Sequence, residues 1–298
     1  MTRALPDVEH HVHFLSPPCP ETEVAFSSSR ITAQRPIDPD QIARAEADVV
    51  ILHNVSPRGW PGVSVPTIQY VHSAGARATA DTTVYCSLWL AGQCGRVDDA
   101  TVLYQAVPKP APTSMGPHRT LRKHLVVGRL CTPSTRKWPM ETVGFYERLA
   151  GQFPCVEWEF VGCPEPMRSE LMQACRGRAE FIDAGWSARS RLWHLDALLY
   201  HHPHLAESFG RTCAESMRSG CVPIVDRRGG FVEQVTPETG FLCDNEADFV
   251  RALAQLHNAG LRRRMSRSSM THADGAFSLQ RFRSDLLRLL RTLASITR

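Results

Sequence analysis

Short apolar runs, broken by polar, Gly- or Pro-containing segments, alternate along this chain with stretches whose apolar positions recur every three and four residues. The first pattern predicts strands and the second helices. In the first part of the chain, strands are expected over Val8–Phe14 (VEHHVHF), Asp48–His53, Val65–Val71, Thr82–Cys86 and Thr101–Tyr104, with a short helix over Asp40–Ala47. Residues 16–40 are rich in Pro and Ser and read mainly as loop. A Pro-rich stretch, Pro108–Pro117 (PKPAPTSMGP), then reads as a linker and domain boundary. Beyond it, strands are expected over His124–Arg129, Val156–Gly162, Ala179–Asp183, Ala197–His201 and Phe241–Cys243. Helices are expected over Glu141–Gln152, Ser169–Cys175, Ser190–Leu195 and Ala247–His257, followed by a helical tail. Alternation of β and α at these spacings specifies an α/β protein with parallel sheets covered by helices. Ligands of such sheets bind at the carboxyl ends of the strands.

The most informative stretch is Glu207–Val225, ESFGRTCAESMRSGCVPIV. Phe209, Thr212, Cys213, Ser216, Met217 and Gly220 lie on one face of a helix that starts near Phe209, and Gly220 stops it. Cys221–Val225 then reads as a short buried strand, with Pro223 near an edge or a strand start. Glu207 precedes the helix and Glu215 lies inside it. Between them, the backbone N–H groups of Ser208, Phe209 and Gly210, with the helix dipole, favour an anion such as a diphosphate. A carboxylate further along suits the vicinal hydroxyls of a ribose. The stretch therefore reads as a nucleotide-diphosphate cradle, with a second carboxylate left for another polyhydroxy group.

These residues resemble the donor-site signature of glycosyltransferase family 4, retaining enzymes of the GT-B fold. The likeness rests on Glu207-x7-Glu215 within the stretch above, and on Gly229-Gly230-Phe-Val-Glu233 downstream. Ser216 stands where the family usually has Ala. The resemblance covers about 119–257 well, 48–110 weakly, and 1–40 not at all: nothing before Pro17 is similar to the family's glycine-rich N-terminal loop. It implies two Rossmann-like domains with parallel sheets and an interdomain cleft. The boundaries expected are an abbreviated acceptor-side domain over 1–112, a nucleotide-sugar-binding domain over 119–280, and a last helix over 281–298 packing back on the first domain. It also implies transfer of a sugar from a nucleotide-diphosphate sugar to a glycan, lipid or other acceptor, with retention and without an essential metal or a further cofactor. By the same resemblance Arg129 and Lys137 hold the diphosphate and oppose the charge that develops on it. Glu207 orients the sugar hydroxyls, Glu215 takes the ribose, and backbone amides of Phe209, Gly210 and Arg211 take phosphate and sugar. His72, at the end of a first-domain strand, faces the donor sugar. Arg136 is an adjacent candidate, and His201–His204 stand where relatives have Pro-Ser, with no assigned role.

Composition narrows the rest. At 298 residues two domains are the default. The ten cysteines form no Cys-x-x-Cys pair, so reduced thiols in a cytoplasm fit better than zinc or a disulfide framework. The cluster His10, His11, His13 lacks neighbouring acidic or thiol ligands and reads as incidental. No run is long and apolar enough to span a bilayer. The net charge of +4 conceals a basic tail: ten arginines against Asp274 and Asp285 from 251 onward. Only Phe277 and Phe282 accompany those arginines, and so sparse an aromatic content argues against nucleic acid. Phe282, Leu286, Leu289, Leu290 and Leu293 form an apolar stripe in the tail. Packing onto the first domain is the expected use of that stripe, and peripheral contact with an anionic membrane is the competing one. For activity the alternatives are a nucleotide-sugar epimerase or hydrolase on the same fold, or a non-catalytic nucleotide-sugar-binding protein.

Overall fold

The computed structural model describes residues 1–34, 37–111 and 124–296. It divides into two units, one of Met1–Ala106 with Leu279–Arg298 and one of Val107–Ser278. Residues 112–117 of the Pro-rich linker, and position 119 as the start of the second domain, lie outside the described residues.

The first unit contains β1 (His11–Phe14), α1 (Pro20–Ala25), β2 (Arg30–Ala33), α2 (Pro39–Arg44), β3 (Val50–His53), β4 (Thr67–Val71), β5 (Thr82–Tyr85), α3 (Leu88–Gln93) and β6 (Thr101–Val102). Strands β3-β4-β5-β6 form one sheet in that order, every pairing parallel. Strands β1 and β2 pair apart from it, with His11 opposite Arg30. The segment read mainly as loop therefore holds a helix and a strand. Pro20 at the first helical turn, with Glu21 and Glu23 beside it, suits a helix start, and the strand is formed by RITA. Val84, Leu90, Ile68 and Tyr70 are buried in the core of this unit. To this unit also belongs the last helix of the chain, Leu279–Ile296. Its Phe282, Leu286 and Leu293 are buried, and Arg283 donates to the carbonyl of Ala4 at 3.2 Å. Each such apolar side chain stabilises the fold by about 1.5–3 kcal/mol. Among the described residues, no helix is long and apolar enough to cross a membrane.

The second unit runs β7 (Leu125–Leu130), α4 (Thr142–Gln152), β8 (Val156–Val161), α5 (Glu165–Ala174), β9 (Ala179–Ile182), a 3-10 segment (Ser187–Trp193), β10 (Ala197–Tyr200), α6 (Arg211–Arg218), β11 (Val222–Asp226), α7 (Phe231–Gln234), β12 (Phe241–Cys243), α8 (Glu246–Leu256) and α9 (Ala259–Ala276). The last helix of the chain is accordingly α10. The sheet order is β12-β11-β10-β7-β8-β9, and all pairings are parallel. Chain order thus reverses between β7 and β10. In a doubly wound sheet that reversal opens a crevice at the strand carboxyl ends, where ligands bind. The apolar runs produce these strands because both sheet faces are covered: β10 and β11 are buried along their whole length. Gly128 lets β7 approach closely, since a Cβ there would stand 2.5 Å from Cδ1 of Leu195. Pro223 is the second residue of β11, just before pairing with β12 begins at Ile224.

Candidate functional site

Two loops meet at this crevice, one after β7 and one after β10. The first carries Lys137 and is tied down by its own backbone. Arg129, in β7, donates from Nη1 to the carbonyl of His201 at 2.5 Å and from Nη2 to the carbonyl of Lys137 at 2.6 Å. Its guanidinium lies 4.9 Å from the centre of the Trp138 ring and 4.7 Å from that of Tyr200. The side chain is wholly buried. Sequence reading expects Arg129 to contact a diphosphate; in this structure its two terminal nitrogens are already engaged by backbone carbonyls. Nη1 and Nη2 are turned to two carbonyl oxygens between two aromatic rings, while Nε has no hydrogen-bond partner among the described residues. Through the Nη2 bond Arg129 holds the backbone of Lys137.

A second fastening comes from the histidines left without a role. His202 accepts the backbone N–H of Leu205 at 2.8 Å and of His204 at 3.1 Å on Nδ1, so its proton sits on Nε2. From there it donates to the carbonyl of Arg136 at 2.8 Å. Burial lowers the His202 pKa, which keeps the ring in this neutral, two-sided form. His201 bonds Asp226 through Nδ1 at 2.7 Å, and the other oxygen of Asp226 takes the His202 N–H at 2.7 Å. The carboxyl ends of β10 and β11 are thereby clamped together. The Arg136 side chain is exposed.

Lys137 forms an ion pair with Glu207 in the second loop. Tyr200, the last residue of β10, donates its hydroxyl to the same oxygen, Oε1, at 2.6 Å. Beneath Glu207 lies the Gly229-Gly230 turn. Gly230 donates to the Glu207 carbonyl at 2.8 Å. A Cβ on Gly229, whose φ is +64°, would come within 2.4 Å of that carbonyl oxygen, and one on Gly230 within 2.6 Å of the carbonyl of Phe209. The two glycines are required because backbone packs directly on backbone here.

Helix α6 starts at Arg211 rather than near Phe209. Gly210 takes a left-handed conformation at φ 89° and has no side-chain cap. A side chain there would strike Phe231 at 2.4 Å. Phe209 itself is buried, and its carbonyl accepts from Gln234. Glu215 lies within α6, 1% exposed, with Oε1 accepting from Arg189 at 2.6 Å and ion-paired with Arg211 at 3.6 Å. Its Oε2 has no hydrogen-bond partner among the described residues. Burial raises its pKa, against the opposing charges of Arg189 and Arg211. Arg189 in turn rests 5.3 Å from the centre of the Trp186 ring. Tyr200, Trp138 and Arg189 escape sequence reading, and His202 enters it only within a run that has no assigned role. Only Tyr200 carries a signal, its place at a strand's carboxyl end.

The structure thus gathers Lys137, Glu207, Phe209, Gly210, Arg211 and Glu215 around one helix start in the second unit. His72 belongs to the first unit, one residue past β4. There its Nε2 lies 2.9 Å from Nδ1 of His53, its Nδ1 2.6 Å from Nε2 of Gln105, and its N–H donates to Asn54 at 2.8 Å. Among the described residues, no cluster of three or more His, Cys, Asp or Glu is placed to hold a metal ion. The Asp38-Pro39-Asp40 triplet, a pattern that elsewhere binds metal, caps α2: Asp38 accepts the Asp40 N–H at 2.9 Å and pairs with Arg44.

A doubly wound parallel sheet with two carboxylates and a lysine around a helix start at its reversal point defines an α/β protein of the GT-B type. Comparison with known proteins agrees on the fold. Residues 165–271 match the family described as Glycosyl transferases group 1. HepE from Anabaena, solved with UDP, superposes with a TM-score of 0.77 at 13% identity, covering 95% of this chain and 92% of its own. A glycosyltransferase from Rickettsia africae gives 0.76 at 11% identity, covering 97% and 91%. Sucrose-phosphate synthase from Thermosynechococcus elongatus gives 0.73 at 16% identity, covering 98% and 91%. Comparison with curated protein sequences yields no match.

Proposed function

We propose that the protein is a retaining glycosyltransferase of family 4 type, moving a sugar from a nucleotide-diphosphate sugar to a glycan or lipid-linked acceptor. The observation that carries this reading is the trio at the start of α6. Lys137 and Glu207 form an ion pair at its rim, and the buried Oε2 of Glu215 stands unpartnered inside. An orphaned buried carboxylate oxygen is costly unless a ligand donates to it, and a ribose hydroxyl is such a donor. The first-turn N–H groups of α6 and the ammonium of Lys137 oppose the charge of the leaving diphosphate, without a metal. Glu207 accepts from the sugar hydroxyls and supports the cationic anomeric centre. Arg129 acts one step removed, by fixing the backbone of Lys137. Acceptor binding is assigned to the first unit; His72, also in that unit, keeps the role the family resemblance gives it, facing the donor sugar. The match of residues 165–271 to group 1 glycosyl transferases supports the reading, as do the HepE structures with UDP and with UDP-glucose.

Thermal-shift measurements against UDP-, GDP-, ADP- and TDP-sugars test it. One base series should raise the melting temperature by mass action, and Glu215→Ala should reduce the rise. No rise with any of the four at millimolar concentration refutes the reading.

A further inference from the structure

We infer that Tyr200 is a positioning residue for Glu207: its hydroxyl fixes one carboxylate oxygen so that the other is presented to the donor sugar. This rests on the donor-site reading above and adds to it a residue that the family signature does not contain.

Both side-chain hydrogen bonds that Glu207 accepts among the described residues fall on Oε1, one from Lys137 and one from Tyr200. The two donors differ in kind. Lys137 carries its ammonium on a long flexible stem, and in the proposed reaction that charge is drawn to the diphosphate. Tyr200 has two rotatable bonds, and both are locked. Its ring lies under the Arg129 guanidinium at 4.7 Å and meets the edge of Phe231 at 5.1 Å. It sits on a central strand, paired with Val225, and is 3% exposed. A hydroxyl held on a strand by packing defines a position more sharply than one on a loop. Burial, reinforced by Cys131 and Glu207, pushes the phenol pKa up, so the hydroxyl remains protonated and keeps donating. When Lys137 turns to a diphosphate, the bond from Tyr200 is the one that still orients Glu207.

The test uses the full chain with UDP and UDP-glucose as probes, and GDP-, ADP- and TDP-glucose with their diphosphates if UDP-glucose does not bind. Tyr200→Phe keeps the ring and removes only the hydroxyl. It should slow release of the nucleoside diphosphate from the sugar nucleotide about ten- to a hundredfold, the loss expected for one bond to a charged group. The Kd for the diphosphate alone, which has no sugar to be oriented, should stay within about twofold. In a Glu207→Ala background the same substitution should change the sugar-nucleotide Kd by less than about twofold, although it weakens it several-fold in the wild type. Equal effects in both backgrounds, or a parallel loss of diphosphate affinity, would show a general packing role and overturn the inference. Unchanged turnover in Tyr200→Phe would overturn it as well. Wild-type protein that binds none of the four sugar nucleotides would refute the donor-site reading itself, and Tyr200 with it.

Discussion

Arg129→Lys separates two roles for one residue. The substitution keeps a positive charge in β7 but replaces a planar fork with a point donor. An ammonium cannot reach both carbonyls with the geometry that Nη1 and Nη2 use, at 2.5 and 2.6 Å. One buried carbonyl is left unsatisfied, at about 1–3 kcal/mol. Loss of the stacked guanidinium between Trp138 and Tyr200 removes roughly a further 0.5–2 kcal/mol. The sum, about 1.5–5 kcal/mol, corresponds to a fall in melting temperature of roughly 3–20 °C for a domain of this size. Differential scanning calorimetry without nucleotide measures it, and UDP titration of the folded variant measures binding. If Arg129 instead contacted the diphosphate directly, the variant would melt within about a degree of wild type yet lose nucleotide affinity. That outcome would refute the positioning role.

Lys137→Ala should lower kcat by about 10²–10³, more than it raises the donor KM, because its charge acts on the departing diphosphate; steady-state kinetics with the sugar nucleotide from the thermal screen checks this. Glu215→Ala should weaken nucleotide binding about ten- to a hundredfold by calorimetry. Burial raises the Glu215 pKa, so the carboxylate takes up its proton at a higher pH than a free glutamate. Affinity for the nucleoside diphosphate from the thermal screen should therefore fall as pH drops through that raised value in a pH series of titrations, and Glu215→Gln should remove this acid limb. In α10, Leu286 is fully buried, so Leu286→Ala should cost about 2–5 kcal/mol in denaturant melts without any membrane present.

Strand and helix order was legible because apolar runs and helical spacings are local properties, and the Glu207–Val225 stretch is itself one continuous loop, helix and strand. What depends on long-range geometry was not legible. Arg129 looked like a free cation at a strand end, yet Trp138 and Tyr200, 9 and 71 residues away by number, enclose it. Glu215 read as the carboxylate for a ribose, with no sign that Arg189, on the 3-10 segment before β10, already holds one of its oxygens. The helix over Pro20–Ala25 was hidden by prolines and serines that mark loops on average but here sit at a helix start. Likewise α6 began later than its periodicity suggested, since Gly210 turns left-handed under Phe231.

The grip on the loop before Lys137 is made on the carbonyl oxygens of Arg136 and Lys137, through His202 and Arg129. A carbonyl is the same in every amino acid, so this grip does not read the side chains along LCTPSTR. Substitution at the exposed positions of that run, Thr132, Pro133 and Thr135, leaves the anchor points intact, whereas Leu130 ends β7 and Cys131 is buried. Those exposed positions are therefore free to diversify in evolution, or to be randomised in engineering, while the cation at the end of the loop keeps its address.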